Sequence, residues 1–429
     1  MKEVGRTLLV ALGAAGAVLV GAALEDIFYV PPDHPAIQYA ERPSRDPVAL
    51  LQQRLDSGQV KLDRAPNGWG YLPAILKQLG ISVDSQVLVF SKTSIQTEHI
   101  GPATPRAIYF SDNASVGFVR DGMLELSGVD PEQGVFFYTL DPEAAEHPRF
   151  GRDDSCLRCH QGPPTLGVPG LMVSSIRPQT EGSGEGHGSS YVTDDRVSLA
   201  DRWGGWYVTG TTGSQAHLGN NTNLVDPVHP GGPMEGTQNI TNLSKFFDTS
   251  RYLAPTSDVV ALMTLEHQVR MTNLITRIGW DARIALHDQS HGGKLDDDAR
   301  QKIDGEIEEM LPYMLFADEA PLSGPVAGVS SFARTFAARG PRDRKGRSLR
   351  DFDLRTRLFK YPLSYMIYSD AFDAMPGIVR DRVYQRLYEI LSGKDQNKPF
   401  DRLSAEDRRA IFEIVGETKH NLPPYWRAG

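Results

Sequence analysis

The sequence predicts an α+β fold in which an antiparallel β-rich half is followed by an α-helical half. Two observations carry this prediction. Between residues 86 and 141, short runs of β-branched and aromatic residues alternate with turn residues, which is typical of an antiparallel meander. From residue 256 onward, apolar residues recur at helical spacing. The change of period therefore separates a β-rich domain over 81–250 from a helical domain over 251–429.

The predicted strands of the β-rich half are five runs, followed further along the chain by two more. An extended and helical segment over 25–80 precedes them, with short helices predicted over Pro47–Ser57 and Leu72–Leu79. The first five runs are QVLVFSKTS, RAIYFSD, ASVGFVRDG, MLELSGVD and GVFFYTLD. The two later runs are GLMVSSIRP and GGWYVTG. Because the first five are short and bounded by turn residues, we expect successive strands to pair antiparallel.

The helical half begins with the longest predicted helix, which runs from Asp258 to about Ile284 and is expected to bend near Gly279. Thr256 or Ser257 is the expected N-cap residue of this helix, since a hydroxyl there accepts a hydrogen bond from the first turn. The remaining predictions are four helices over Asp296–Ala317, Leu363–Ala374, Ile378–Ser392 and Ala405–Glu417, and an arginine-rich loop over Ser331–Arg350.

Residues 1–24 have the pattern of a signal peptide or a membrane anchor. Lys2 and Arg6 form a short positive region, and the stretch that follows carries no charge and is mostly Leu, Val, Ala and Gly. Small residues at Ala22 and Ala23 suit cleavage, while the uncharged stretch is also long enough to remain as one anchor. We therefore expect an exported protein in the periplasm, either soluble or held at the inner membrane by this segment.

The two cysteines of the chain lie three residues apart, and a histidine follows directly. Cys156, Cys159 and His160 read CxxCH, the spacing at which two thiols add to the vinyl groups of one porphyrin and the histidine ligates its iron. The motif predicts one covalent haem c, with both cysteines as anchors and His160 as the proximal ligand. A structural zinc site needs further ligands, and a thioredoxin-like pair needs a βαβ setting, so both are weaker alternatives.

These five residues resemble the haem-attachment motif of c-type cytochromes. Over nearly its whole length the chain also resembles a group of exported bacterial single-haem proteins. The runs that carry this second resemblance are DHPAIQY, RWGGWYVTG, LEHQ, KYPLSYMIYSDAFD and NLPPYW. The resemblance implies one haem and an exported location, and it implies no particular reaction.

The ligand opposite His160 decides between two classes of function. A sixth ligand favours a periplasmic electron carrier, whereas an open iron favours a peroxidase- or oxidase-like enzyme or a small-ligand sensor. His267 is a candidate because it lies on an otherwise apolar helical face, although a buried hydrogen-bond partner would also explain it. His217, in the loop after WGGWYVTG, is a second candidate, and Met172 and Met234 are further ones.

Composition limits the classes of partner. The formal net charge of −9 argues against a nucleic-acid partner. The chain has no nucleophile elbow, HExxH motif or phosphate-binding loop, so hydrolytic and nucleotide-dependent reactions gain no support. On this acidic chain the basic stretch Arg334–Arg350 is the expected docking surface for an acidic redox partner protein or for anionic lipid headgroups. A solvated loop is the plain alternative.

Overall fold

The computed structural model describes residues 29–141, 148–176, 190–222, 236–290 and 295–427. The predicted signal peptide or anchor over 1–24 lies outside these ranges, as does the candidate ligand Met234. Within the ranges, no helix combines the length and the apolar character that crossing a bilayer requires.

A seven-stranded antiparallel sheet forms most of the first half and confirms the predicted fold class. Its strand order is β6-β5-β4-β3-β2-β1-β9, so six strands follow one another as a meander and β9 returns to pair with β1. Strands β7 and β8 form a separate antiparallel pair. The strand bounds are β1 Val87–Val89, β2 Arg106–Phe110, β3 Ala114–Phe118, β4 Leu124–Asp130, β5 Gly134–Leu140, β6 Gly151–Arg152, β7 Ser174–Ile176, β8 Ser190–Val192 and β9 Trp206–Tyr207.

Helices of the N-terminal segment pack against the sheet. Other helices make up most of the second half. Three short helices belong to the first half, and the third contains Cys159 and His160 of the motif. Their bounds are α1 Pro47–Asp56, α2 Leu72–Gln78 and α3 Leu157–His160. The helices of the second half are α4 Val259–Asp288, α5 Asp297–Met314, α6 Phe332–Ala338, α7 Asp370–Asp373, α8 Gly377–Leu391 and α9 Ala405–Thr418.

Helix α4 is the central element of the fold. It is one continuous helix of 30 residues, most of them buried. Its N-cap is Asp258, whose carboxylate accepts the amides of Val260 and Ala261, so the predicted capping by Thr256 or Ser257 is wrong. A carboxylate here also accepts the unpaired amides of the first turn and interacts favourably with the helix dipole.

The apolar core continues from the sheet into the helices through α4. Near its start, Val260 lies in a cluster that also contains Val87 of the sheet and Phe372 of the helical half. Near its end, Trp280 packs in the cluster beneath the N-terminal segment and the other face of the sheet. One long buried helix therefore holds in place the loops that surround the motif.

The arginine-rich loop predicted over Ser331–Arg350 contains a helix, α6. Phe332 and Phe336, one helical turn apart, are both buried, and Phe110 of β2 packs against the ring of Phe332 at 5.7 Å between centroids. The sequence prediction gave more weight to the basic residues than to this short apolar repeat.

Candidate functional site

The CxxCH segment lies at one edge of the sheet, directly after β6. The amide of Asp153 bonds to the carbonyl of Phe137 at 3.0 Å, which extends the pairing of β6 with β5. The Asp153 carboxylate then accepts the Ser155 amide and begins a 3₁₀ turn over Asp154–Cys156 that leads into α3. The last strand of the meander therefore places the motif.

His160 is held by its neighbours in one protonation state. Its Nδ1 donates to the carbonyl oxygen of Gly170 at 2.9 Å, while burial lowers the pKa of the imidazole. The ring is therefore neutral, with its proton on Nδ1 and a lone pair on Nε2. A hydrogen bond of this kind, from the other ring nitrogen to a backbone carbonyl, orients a histidine ligand toward a metal. The Phe137 ring lies beside it, at 4.8 Å between centroids.

The loop after the motif fixes the position of the Gly170 carbonyl. The amide of Gly170 donates back to the carbonyl oxygen of His160 at 2.9 Å, and the Thr165 hydroxyl donates to the same oxygen at 3.2 Å. A side chain at Gly170 has no room, because a Cβ there would lie 2.2 Å from Oδ1 of Asn273 on α4.

Helix α4 holds this loop through an amide side chain that pairs with the backbone. Asn273 donates to the carbonyl of Leu171 at 2.7 Å and accepts the Leu171 amide at 3.2 Å. One helical turn further on, Arg277 donates to the carbonyl of Leu166 at 2.9 Å. The position of His160 is thus linked to the most buried helix of the fold.

The folded cysteines do not form the pair of equivalent anchors that the prediction of one covalent haem c requires. Cys159 is exposed, whereas Cys156 is half-buried. Burial, together with Asp153 and Glu125, raises the pKa of the Cys156 thiol to about 11, so it is protonated and weakly nucleophilic at neutral pH. The prediction of one covalent haem c is therefore wrong. The segment presents one exposed thiol and one protonated, half-buried thiol beside His160.

The two weaker interpretations of the motif also lack support in the folded segment. Within the described ranges, the ligand atoms of Cys156, Cys159 and His160 do not converge within 4.8 Å as a site for a bare ion would require, which disfavours structural zinc. The strand before the motif is antiparallel to its neighbour, so the motif does not follow the parallel βαβ strand of a thioredoxin-like pair.

His217, a predicted distal ligand, is buried, and its proton is on the other ring nitrogen from that of His160. Its Nδ1 accepts the amide of Gly219 at 3.1 Å, and burial lowers the pKa of the imidazole to about 4. The neutral ring therefore carries its proton on Nε2, the nitrogen that an iron would need. Its ring packs edge-on against Trp203 at 5.5 Å between centroids.

His267, the other distal candidate, has a protein partner at both ring nitrogens. Nδ1 lies 2.8 Å from Oδ2 of Asp195, and Nε2 lies 2.7 Å from the hydroxyl of Ser364. The ring is fully buried and stacks on Phe316 and Tyr313, with centroids 4.3 and 5.2 Å apart. Among the described contacts, none joins His267 or His217 to the motif, and ligation by either stays a prediction.

Further buried charges surround the hydrogen-bonded group formed by Asp195, His267 and Ser364. Glu266 is fully buried, accepts the Thr193 hydroxyl at 2.8 Å and pairs with Arg202 at 3.1 Å. Arg202 also donates to the backbone carbonyl of Asp195 at 2.8 Å. These bonds join the loop after β8 to α4, and they compensate for removing the charges from water.

Glu319, which lies near Asp195, is predicted to make the free energy of unfolding fall as pH rises. Burial and the charge of Asp195 raise the pKa of Glu319 from 4.5 to about 8. Between these pH values the unfolded carboxyl has lost its proton and the folded one has kept it, so stability falls by up to about 1.4 kcal/mol per pH unit.

Glu319→Gln tests this dependence, because the amide keeps the oxygen that accepts the Leu358 amide. We expect urea unfolding from pH 5 to pH 8 to show a growing stability advantage of the variant over the wild type. Parallel curves for the two proteins would contradict the raised pKa.

The basic stretch Arg334–Arg350 is largely paired within the fold. Arg350 is buried and pairs with Asp112, and Arg347 pairs with Asp343 and Glu413. Further contacts join Arg342 to Asp351, Lys345 to Glu413 and Arg344 to Glu417. This pairing reduces the positive field at that surface, and docking there stays a prediction.

The residues that position His160 and His267 were missed by the sequence reasoning. Asn273 carried one signal, since it is a polar residue inside a buried helix and needs a partner. Asp195 and Ser364 lie 72 and 97 residues from His267 along the chain, and no local pattern brings them together.

Comparison of the chain with protein-family models, with curated proteins and with solved structures finds no match.

Proposed function

We propose that this chain is an exported electron-transfer protein in which His160 would hold a haem iron. The observation that carries the proposal is the bond from His160 Nδ1 to the Gly170 carbonyl at 2.9 Å. It leaves the Nε2 lone pair available, and Nε2 is the nitrogen through which a proximal histidine binds iron. Neither His217 nor His267 has a free lone pair on that atom in the described arrangement.

The chain's own residues prepare the imidazole for this role. The Gly170 carbonyl fixes the tautomer and makes the ring a stronger donor to the iron. The reciprocal bond from the Gly170 amide fixes the backbone of His160, and burial keeps the ring neutral. When bound, the iron supplies the one-electron step between its ferric and ferrous states. The residues around it supply orientation and a protected ligand.

The number of elements that hold His160 in place also favours a redox role. A ligand held by α3, by the loop after it and by α4 changes position little when the charge on the iron changes. Little structural change on oxidation is what fast electron transfer requires. The pattern of residues 1–24, which is typical of a signal peptide or anchor, supports the proposal of export. An exported redox protein needs a redox partner outside the cytoplasm.

The first experiment is an optical spectrum of protein exported by a host that matures c-type cytochromes, recorded oxidised and then reduced by dithionite. The proposal predicts a haem spectrum that changes reversibly on reduction. A sample without an iron chromophore would contradict it. A pyridine haemochrome after acid–acetone extraction then shows how the porphyrin is attached. The environments of Cys156 and Cys159 predict that the haem goes into the acid–acetone extract and that none stays in the protein pellet.

The support from α4 predicts an effect of Asn273→Ala. The substitution removes both bonds to Leu171 and leaves its part-buried backbone amide and carbonyl without these partners. We expect the free energy of unfolding to fall by about 1–3 kcal/mol. We also expect the midpoint potential of the iron to shift, because the Gly170 carbonyl loses its fixed position. Lower stability with an unchanged potential would assign Asn273 a structural role only.

A further inference from the structure

A second group of potential metal ligands lies at the C-terminal end of α4, and the proposed electron transfer does not use it. It consists of His34 from the N-terminal segment and of His287 and Asp288 from the last turn of the helix. One ligand atom from each lies within 4.8 Å of the others, and this is the one such group among the residues that the structure describes.

The distances within this group match those around a small tetrahedral ion. Nε2 of His34 lies 3.2 Å from Oδ1 of Asp288, and Nδ1 of His287 lies 3.3 Å from the same oxygen. Ligands that bind a tetrahedral zinc at about 2.0–2.1 Å are about 3.3–3.4 Å apart. The two imidazoles meet edge-on, with ring centroids 5.3 Å apart, and their ligand nitrogens lie within 4.8 Å of each other.

The electrostatic setting favours a cation. The last carbonyls of a helix carry a partial negative charge, and α4 ends at Asp288. His287 and Asp288 are about half-exposed, with side-chain exposures of 46% and 57%, whereas His34 is mostly covered at 18%. The group is therefore anchored on one side and open to water on the other, which leaves room for a solvent ligand.

We propose that His34, His287 and Asp288 form a site for a borderline divalent cation of the Zn²⁺ class. Two imidazole nitrogens and one carboxylate oxygen are the donors that such ions take, and water supplies the fourth position. The ion joins the N-terminal segment to the end of the central helix.

Metal binding at His34 costs one hydrogen bond of the free protein. Nδ1 of His34 accepts the Ala36 amide at 3.2 Å, so in the free protein the proton of a neutral ring is on Nε2, facing Asp288. When the ion takes the Nε2 lone pair, the proton of the neutral ring moves to Nδ1, which can then no longer accept the Ala36 amide. Because protons compete with the ion for the imidazole nitrogens, metal binding weakens as pH falls.

Co²⁺ and Zn²⁺ titrations of the purified full chain, prepared without haem so that haem absorbance does not cover the cobalt bands, test the site. Co²⁺ reports its own coordination, since nitrogen and oxygen ligands in a tetrahedral site give visible d–d bands, and thiolate ligands add strong near-ultraviolet charge-transfer bands. We expect d–d bands without thiolate bands, displaced by Zn²⁺, and a higher unfolding temperature in Zn²⁺. Charge-transfer bands would place the ion on Cys156 or Cys159 and overturn the proposal.

Two variants and a matched control locate the ion. His34→Ala and His287→Ala, on separate segments, should each weaken Zn²⁺ binding at least tenfold and remove the metal-dependent rise in unfolding temperature. His99→Ala, at an exposed histidine outside the group, should change neither. Equal affinities in the three variants would overturn the site, and so would loss in only one of the two ligand variants. Unfolding curves without metal verify that each variant is folded.

Discussion

His160→Ala is expected to abolish the reversible redox absorbance of the protein. The substitution removes the one imidazole of the motif whose Nε2 carries a free lone pair, so the iron loses its protein ligand. We expect the amount of iron bound per chain and the amplitude of the reduced-minus-oxidised spectrum to fall at least tenfold. Iron analysis and an optical titration on the same sample measure both quantities.

His99→Ala is the matched control for this variant, since His99 is exposed and distant in sequence from the motif. It should retain the iron and the spectrum of the wild type. We expect His160→Ala to change the free energy of unfolding little, and its unfolding curve checks this. A folded His160→Ala protein with an unchanged spectrum would exclude His160 as the ligand.

Asp195→Ala is expected to cause the largest loss of stability among substitutions away from the motif. It removes the carboxylate that pairs with His267 at 2.8 Å in a fully buried site. Breaking a buried pair by removing one member costs about 3–5 kcal/mol, because the remaining polar group stays buried without its partner. The measurement is the free energy of unfolding in urea at neutral pH.

Two further variants make this prediction specific. Asp63→Ala, at an exposed aspartate, should change the stability by less than about 0.5 kcal/mol. Asp195→Asn keeps an oxygen that can accept from Nδ1 of His267, and it should retain part of the stability that Asp195→Ala loses. A loss below about 1 kcal/mol in Asp195→Ala would show that the buried pair contributes little net stability.

Local patterns in the sequence were sufficient to predict most of the fold. The five strand-like runs became β1 to β5, and the helical period after residue 256 became α4, because both patterns arise from the burial of one face. The N-cap of α4 was placed one or two residues too early, since Thr256, Ser257 and Asp258 are all good capping residues and only the backbone distinguishes them. The return of β9 to pair with β1 depends on contacts that no local pattern encodes.

The candidate site was predictable only in part. The spacing of Cys156, Cys159 and His160 drew attention to the segment, but the covalent haem that it predicts is wrong. The different environments of the two thiols arise from burial and from Glu125, which β4 brings near. Asp195 and Ser364 gave His267 protein partners that the sequence could not name. Their pairing depends on tertiary contacts between the loop after β8, α4 and the turn before α7.

The most direct test of the central claim is a potentiometric titration of the purified full chain, followed optically. A one-electron iron centre ligated by His160 predicts a single Nernst transition of about 59 mV per tenfold change in the ratio of oxidised to reduced protein. That transition should disappear in His160→Ala and persist in His99→Ala. A two-electron transition of about 30 mV per tenfold change, retained in His160→Ala and lost when Cys156 or Cys159 is replaced by serine, would identify a dithiol centre and contradict the account.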